Sequence, residues 1–361
     1  SMATLILLTA AGSPSPYNMV VDSNNIIAQT NLGSGTPSDP YIIEKRNFNE
    51  LSGNGMLVSN TDDYILIRDI TTENLSGSDD YPLPIGIGIQ GAKNVQIENY
   101  TAFTGEILRV SNSQNIRVKN YRGRNLFFEG AKESAIENCT SDNIIIKGSM
   151  KTKSIFNNSF DVLNDLVTVS EHCLIRNCNR VGEIDLFDVK DCVIENCCIE
   201  GNGLWLFNPV DVIFHNITAI NTTLWLNWAR KISFENMTLV NTEISLAGSE
   251  SKEFEPALKN CTVDGKPIYY YQNRSDLVLD NLDAGHIWLV NCSRPRISNS
   301  KALGVFVINS SNMIIENTEI DRSGVKLAFS RNCLFLNNRM LNQTSDNAMT
   351  QYTGCYNNTQ V

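Results

Sequence analysis

The sequence predicts an all-β chain wound into a right-handed parallel β-helix of the pectate-lyase-like kind, about twenty residues to the coil. Three observations predict it. A short phrase, an apolar residue, one further residue and then Asn, recurs at intervals of 18 to 24 residues along most of the chain. A second apolar strand follows each Asn within a few residues, as in Ile184-Asp185-Leu186, Leu204-Trp205-Leu206, Leu224-Trp225-Leu226 and Ile244-Ser245-Leu246. Apolar residues alternate with period two in both strands, and neither the 3.6 period of a helix nor the leucine frame of a horseshoe repeat is present.

The asparagine column comes first because it fixes the corner. It reads Asn99, Asn120, Asn138, Asn158, Asn177, Asn196, Asn216, Asn236, Asn260, Asn281, Asn299, Asn317 and Asn337. Asn tolerates the left-handed backbone that a tight corner demands. Its amide both donates and accepts, so stacked copies can bond along the solenoid inside the bend. Cysteine often follows (139, 178, 197, 261), and Cys173 and Cys192 occupy a second repeated position. Ten cysteines obeying the repeat of a large core read as reduced, buried small hydrophobes, with Cys197-Cys198 and Cys355 as candidates for a bridge.

Ser1 to residue 60 reads as an N-terminal cap with the first coils, 61–340 as the β-helix, and 341–361 as a C-terminal cap or tail. Ser1-Met2 looks like a cloning remnant. The apolar stretch Ala3 to Ala11 reads as a first strand or cap, with the remnant of a signal peptide as the alternative. The repeat breaks twice, at Glu73 to Gly91 and in an irregular insertion at 248–283 that carries Tyr269, Tyr270 and Tyr271. Loops of this size often carry function, and the alternative is one irregular coil completed by the tyrosines.

Composition excludes several classes. Net charge is −10 with no basic cluster, which gives no attraction for nucleic acid. No apolar run approaches the roughly 18 residues of a membrane span. Three isolated histidines, at 172, 215 and 286, and no paired CxxC motif give no metal site, and no cofactor is expected.

The candidate site follows from parity. The middle residue of each second-strand triplet faces outward, giving a column Phe127, Ile145, Val167, Asp185, Trp205, Trp225, Ser245, then Trp288, Phe306 and Lys326. Such an apolar outer stripe reads as a platform for sugar rings at Trp205 and Trp225, as a homo-oligomer interface, or as a face covered by the chain itself. Trp205, Trp225, Trp288, Phe306, Tyr269, Tyr270 and Tyr271 are the expected ligand-binding residues. An enzyme acting on polysaccharide would need crowded carboxylates, for which Glu183, Asp185 and Asp188 are candidates, with Asp161 and Asp165 in the preceding coil. The alternative for these is a solvated acidic turn. Thirteen Asn-x-Ser/Thr sequons occur, five of them on column asparagines that a buried ladder would hide from glycosylation.

Three phrases carry a family resemblance. Gly33-Ser-Gly-Thr-Pro-Ser-Asp-Pro-Tyr-Ile-Ile-Glu44 resembles the opening motif, and Tyr64-Ile-Leu-Ile-Arg-Asp69 the next strand, of the NosD-like carbohydrate-binding and sugar-hydrolase (CASH) β-helix proteins, in particular their archaeal surface members. Val263-Asp-Gly-Lys-Pro-Ile-Tyr-Tyr-Tyr271, followed by Ala284-Gly-His-Ile-Trp-Leu-Val-Asn-Cys292, is similar to a further signature of that family. The resemblance implies a right-handed β-helix, exported to the cell surface or beyond, and a binding or structural role. It brings no copper site with it, because Met, His and Cys are scattered or locked in the repeat.

Overall fold

A computed structural model of the chain describes residues 17–30, 32–49, 52–76, 84–148, 169–342, 349–351 and 354–360. Ala3 to Ala11, Asn158, Asp161, Asp165 and Val167 lie outside the described residues. The rest is a parallel β-solenoid with almost no helix, built as the repeat requires. Ile184, Leu204, Leu224 and Ile244 stand in register on successive strands, each no more than 1% exposed, and Leu186, Leu206, Leu226 and Leu246 form the next inward row. Each such side chain contributes roughly 1.5–3 kcal/mol by leaving water, as an upper estimate.

The corner asparagines take the predicted backbone. Asn196, Asn216 and Asn236 have φ of 53°, 53° and 55°. Asn236 Nδ2 donates to Asn216 Oδ1 at 3.0 Å, and Asn216 Nδ2 to Asn196 Oδ1 at 2.9 Å. The ladder runs on the solvent side of the corner, where these residues are exposed, rather than inside the bend. The expectation that it hides the sequons at 99, 138, 216, 236 and 260 is therefore overturned: left-handed backbone turns the side chain outward while the following Cys or Ile goes in. The cysteines after the ladder are buried, with Cys139 and Cys197 Sγ donating to backbone carbonyls, and all ten are free thiols.

Strand Tyr17–Asp22 pairs in parallel with Asn54–Ser59, so coils begin ahead of residue 60. The opening motif is a turn in which Gly33, at φ +96°, passes so close to Pro40 that a Cβ would lie 1.9 Å from its carbonyl oxygen. Tyr64 N then donates to Gly35 O, joining the first two motifs directly. Farther along, strand Thr140–Lys147 pairs directly with Val181–Phe187, which makes Ile145 and Asp185 neighbours although two periods separate them in sequence.

The insertion at 248–283 does more than lengthen a coil. Ser251–Phe254 forms a single 3-10 turn capped by Glu253, whose Oε2 accepts from the backbone N–H of Ser249 and Glu250. Phe254 is fully buried and meets Phe329 edge-on at 5.8 Å. Next, Thr262–Val263 pairs antiparallel with Lys266–Pro267 across Asp264-Gly265, both at positive φ (47° and 77°), the signature of a tight two-residue hairpin. The strand sense reverses there. From Lys266 onward a second stack begins, its strands Lys266–Gln272, Asp283–Val290, Lys301–Ile308 and Glu319–Ala328 parallel to one another.

The second stack has its own interior, formed by Ile287, Leu289, Val305, Val307, Val325 and Leu327. Its outer face, Trp288, Val290, Phe306, Ile308 and Ala328, belongs to the same buried cluster as the core of the first stack. Arg322 forms an ion pair with Asp264, and Lys326 Nζ donates to Ile244 O at 2.6 Å. The second stack thus lies against the first through side chains the repeat leaves pointing outward.

Candidate functional site

Outward residues of strands Val181–Phe187, Cys198–Phe207, Thr223–Asn227 and Glu243–Ala247 form three rows across the first stack. They read Glu183, Gly203, Thr223, Glu243; then Asp185, Trp205, Trp225, Ser245; then Phe187, Phe207, Asn227, Ala247. Trp205 and Trp225 are half-buried and stack at 4.9 Å between centroids, 14° from parallel. Phe187 and Phe207 lie 5.9 Å apart, and Phe207 meets the exposed Trp228 edge-on at 5.1 Å. The apolar patch is therefore wider than one column.

Indoles stacked one rung apart turn their faces to each other and not to solvent. The face open to solvent is therefore made of the edges of Trp205 and Trp225, with the full faces already shared between them, which differs from the flat platform the sequence suggested. Trp205 folds back over Gly203, where a Cβ would stand 2.7 Å from its Nε1. That Nε1 is buried with no hydrogen-bond partner among the described residues, and so is Asp185 Oδ1 on the adjoining rung.

Asp185 is wedged between Ile145 and Trp205 in register. Burial, and then the charge and hydrogen bond of Glu183, push its carboxyl up to about 7. Near neutrality this residue is part proton donor, part anion. Asp188, the third expected acid, points elsewhere: it turns a corner at φ 49° and accepts from Asn208 Nδ2 at 2.7 Å. It belongs to a ladder and not to the acidic pair. At the other end of the column Phe127 carries Lys147 Nζ 4.8 Å from its ring centroid, so cations cover that end.

The rest of the expected stripe is not a surface. Trp288 and Phe306 are 0% exposed and stack at 4.1 Å, 4° from parallel, between the two stacks. Parity placed them outward correctly, but the reversal folds that face onto the first stack. Lys326 follows them there, and so does His286, which is 0% exposed with neither ring nitrogen hydrogen-bonded among the described residues. The three tyrosines do not share a face either. Tyr270, in register with Trp288, packs between the stacks, while Tyr269 and Tyr271 close the end of the second interior. Burial raises Tyr270 to about 12.

Parity missed Phe187, Phe207 and Trp228. The phrase Trp225-Leu226-Asn227-Trp228 held the signal for Trp228, since the left-handed turn at Trp228 (φ 50°) swings its ring back toward Phe207.

No protein-family model matches the chain, and no curated protein matches it. Solved structures of similar shape include the Streptococcus pneumoniae surface protein and adhesin PfbA, at 11% identity and TM-score 0.32 over 85% of this chain and 91% of that one. The A-module of the Azotobacter vinelandii mannuronan C-5 epimerase AlgE4 gives 11% and 0.30 over 84% and 90%. The catalytic domain of a GH87 α-1,3-glucanase in complex with nigerose gives 14% and 0.27 over 88% and 64%. At these scores the likenesses carry no argument about activity.

Proposed function

We propose that the chain is an exported or cell-surface module that binds polysaccharide along the outer face of its first stack, in keeping with the motif resemblance to CASH β-helix proteins. The observation that carries this reading is the row Asp185, Trp205, Trp225. It sets two half-buried indole edges and one carboxyl of raised pKa side by side on a rigid sheet. Apolar edges serve the C–H faces of pyranose rings, and the open side of the Asp185 carboxyl serves their hydroxyls. Rung spacing of about 4.8 Å lets successive groups along the stack meet successive positions on one chain of sugars.

Titration of soluble polysaccharides against intrinsic tryptophan fluorescence tests the proposal. Three of the four tryptophans lie on or beside this face, so binding shifts the emission, and Trp205→Ala with Trp225→Ala removes both shift and affinity. An unchanged isotherm in that double variant disproves the reading.

A second reading, a polysaccharide-active enzyme, is favoured by one observation: the raised Asp185 carboxyl, as a general acid requires. Against it, glycosidase carboxyl pairs stand roughly 5–9.5 Å apart to flank the bond they cleave. Glu183 and Asp185 instead project from one strand two residues apart, the first raising the pKa of the second, and do not face each other across a groove. Release of reducing ends from a polysaccharide panel, abolished by Asp185→Asn, would establish catalysis in place of binding alone.

A further inference from the structure

On the strands that lead into the asparagine corner, the outward residue just before each corner alternates between acid and base from Glu44 to Lys259. Most of these residues close into ion pairs with a neighbouring rung. Arg68 pairs with Glu44, Lys119 with Glu98, Arg176 with Glu137 and Lys259 with Glu235. Opposite charges on adjacent strands support a sheet, and these four pairs are explained by that alone. Glu195 and His215 stand in register between the last two pairs, yet form no ion pair among the described residues. His215 instead meets the ladder amide of Asn236, 3.4 Å from its Nε2. An amide nitrogen only donates, so Nε2 accepts and Nδ1 keeps an N–H to give.

Beside this open pair runs an aliphatic row. Leu174, Val193 and Ile213 occupy the outward position two residues earlier on the same strands. The first two are half-buried, and Ile213 is 47% exposed on the rung that also carries His215. Sheets of parallel strands are as a rule covered on both faces. Here the inner face packs into the core through Ile175, Ile194 and Phe214, while the outer face presents the aliphatic row. Alternation makes such a face complementary to itself. A two-fold axis lying along the strand direction, level with the gap between the Glu195 and His215 rungs, reverses the rung order and sets each row opposite its own kind. Glu195 then meets the His215 of a second copy, Arg176 its Glu235, and Val193 its Ile213. An axis along the solenoid would leave each rung at its own level, with no acid brought opposite a base.

We infer that this outer face is the contact of a two-fold homodimer, with Val193 and Ile213 at its centre and Glu195 and His215 pairing between the copies. What one chain leaves open, the second closes twice. The face belongs to a different run of strands from the row of Trp205 and Trp225, so the dimer leaves that row free. Four rungs at about 4.8 Å make a contact at the small end of specific interfaces, which sets its strength in the micromolar range.

Sedimentation velocity of the full chain over a concentration series tests this. The parent passes from monomer to dimer as its concentration rises through the micromolar range. Ile213→Arg, at an exposed position, stays monomeric, and Trp225→Ala dimerises as the parent does. Glu195→Lys and His215→Glu each weaken the dimer roughly tenfold. The double variant, in which acid and base trade places, regains it. A parent that stays monomeric, an Ile213→Arg variant that associates as the parent does, or a double variant no stronger than the single ones overturns the inference. Loss of the dimer in Trp225→Ala overturns it as well and moves the contact to the tryptophan face.

Discussion

Lys326 Nζ donates to the backbone carbonyl of Ile244 at 2.6 Å, a contact spanning 82 positions of sequence. Lys326 is 9% exposed, and burial lowers its pKa, opposed by Glu243 at 3.7 Å. Stack docking here is a charged hydrogen bond set beside apolar packing. Lys326→Ala removes both and should destabilise the protein by about 2 kcal/mol, while Lys326→Met keeps the packing and recovers part of it. Urea unfolding of the two variants checks this order.

Two buried titratable groups pull stability in opposite directions. Burial first, then Lys326 and Arg322, push His286 down to about 3, so the unfolded chain binds its proton first as pH falls. Its contribution is full above about 6.5 and is lost as pH falls toward 3, with a slope of at most about 1.4 kcal/mol per pH unit. Asp185, raised to about 7, does the reverse: its contribution is full below about 3.9 and is lost as pH rises through 7. Over the shared window the two offset. His286→Phe should leave a protein whose stability falls as pH rises from 4 to 7, and Asp185→Asn one whose stability rises, as read by thermal unfolding across that range.

The corner ladder separates backbone from side-chain effects at one position. Asn216 sits at φ 53° and bonds to both neighbours. Asn216→Gly keeps the left-handed turn and loses only the amide bonds, about 1 kcal/mol. Asn216→Ala adds the cost of left-handed backbone, about 1–2 kcal/mol more. Equal losses in denaturant titrations would contradict this division.

Thiol chemistry reports the packing. Cys198 and Cys355 are the half-buried cysteines, and the other eight are buried. Burial also raises Cys261, and Cys333 to about 11. A disulfide-exchange reagent should therefore modify at most two thiols in the native protein and all ten after unfolding.

The solenoid was legible in the sequence because its cause is local and repeated. An Asn at φ near 54°, an inward residue after it and alternation in the next strand recur every coil. Parity alone placed Asp185, Trp205 and Trp225 in one register. The docking of the second stack was not legible, because Asp264-Gly265 reads like any tight turn and the partners of Trp288, Phe306 and Lys326 lie far away in sequence. The chemistry of Asp185 was half legible: its neighbours were readable from the period, its burial between Ile145 and Trp205 was not.

Hydrogen exchange read by mass spectrometry, with and without a bound polysaccharide, tests the proposed glycan face most directly. Protection concentrated in peptides covering Val181–Phe187, Cys198–Phe207 and Thr223–Asn227 is the expected result. Protection confined to other coils, or none at saturating polysaccharide, would contradict it.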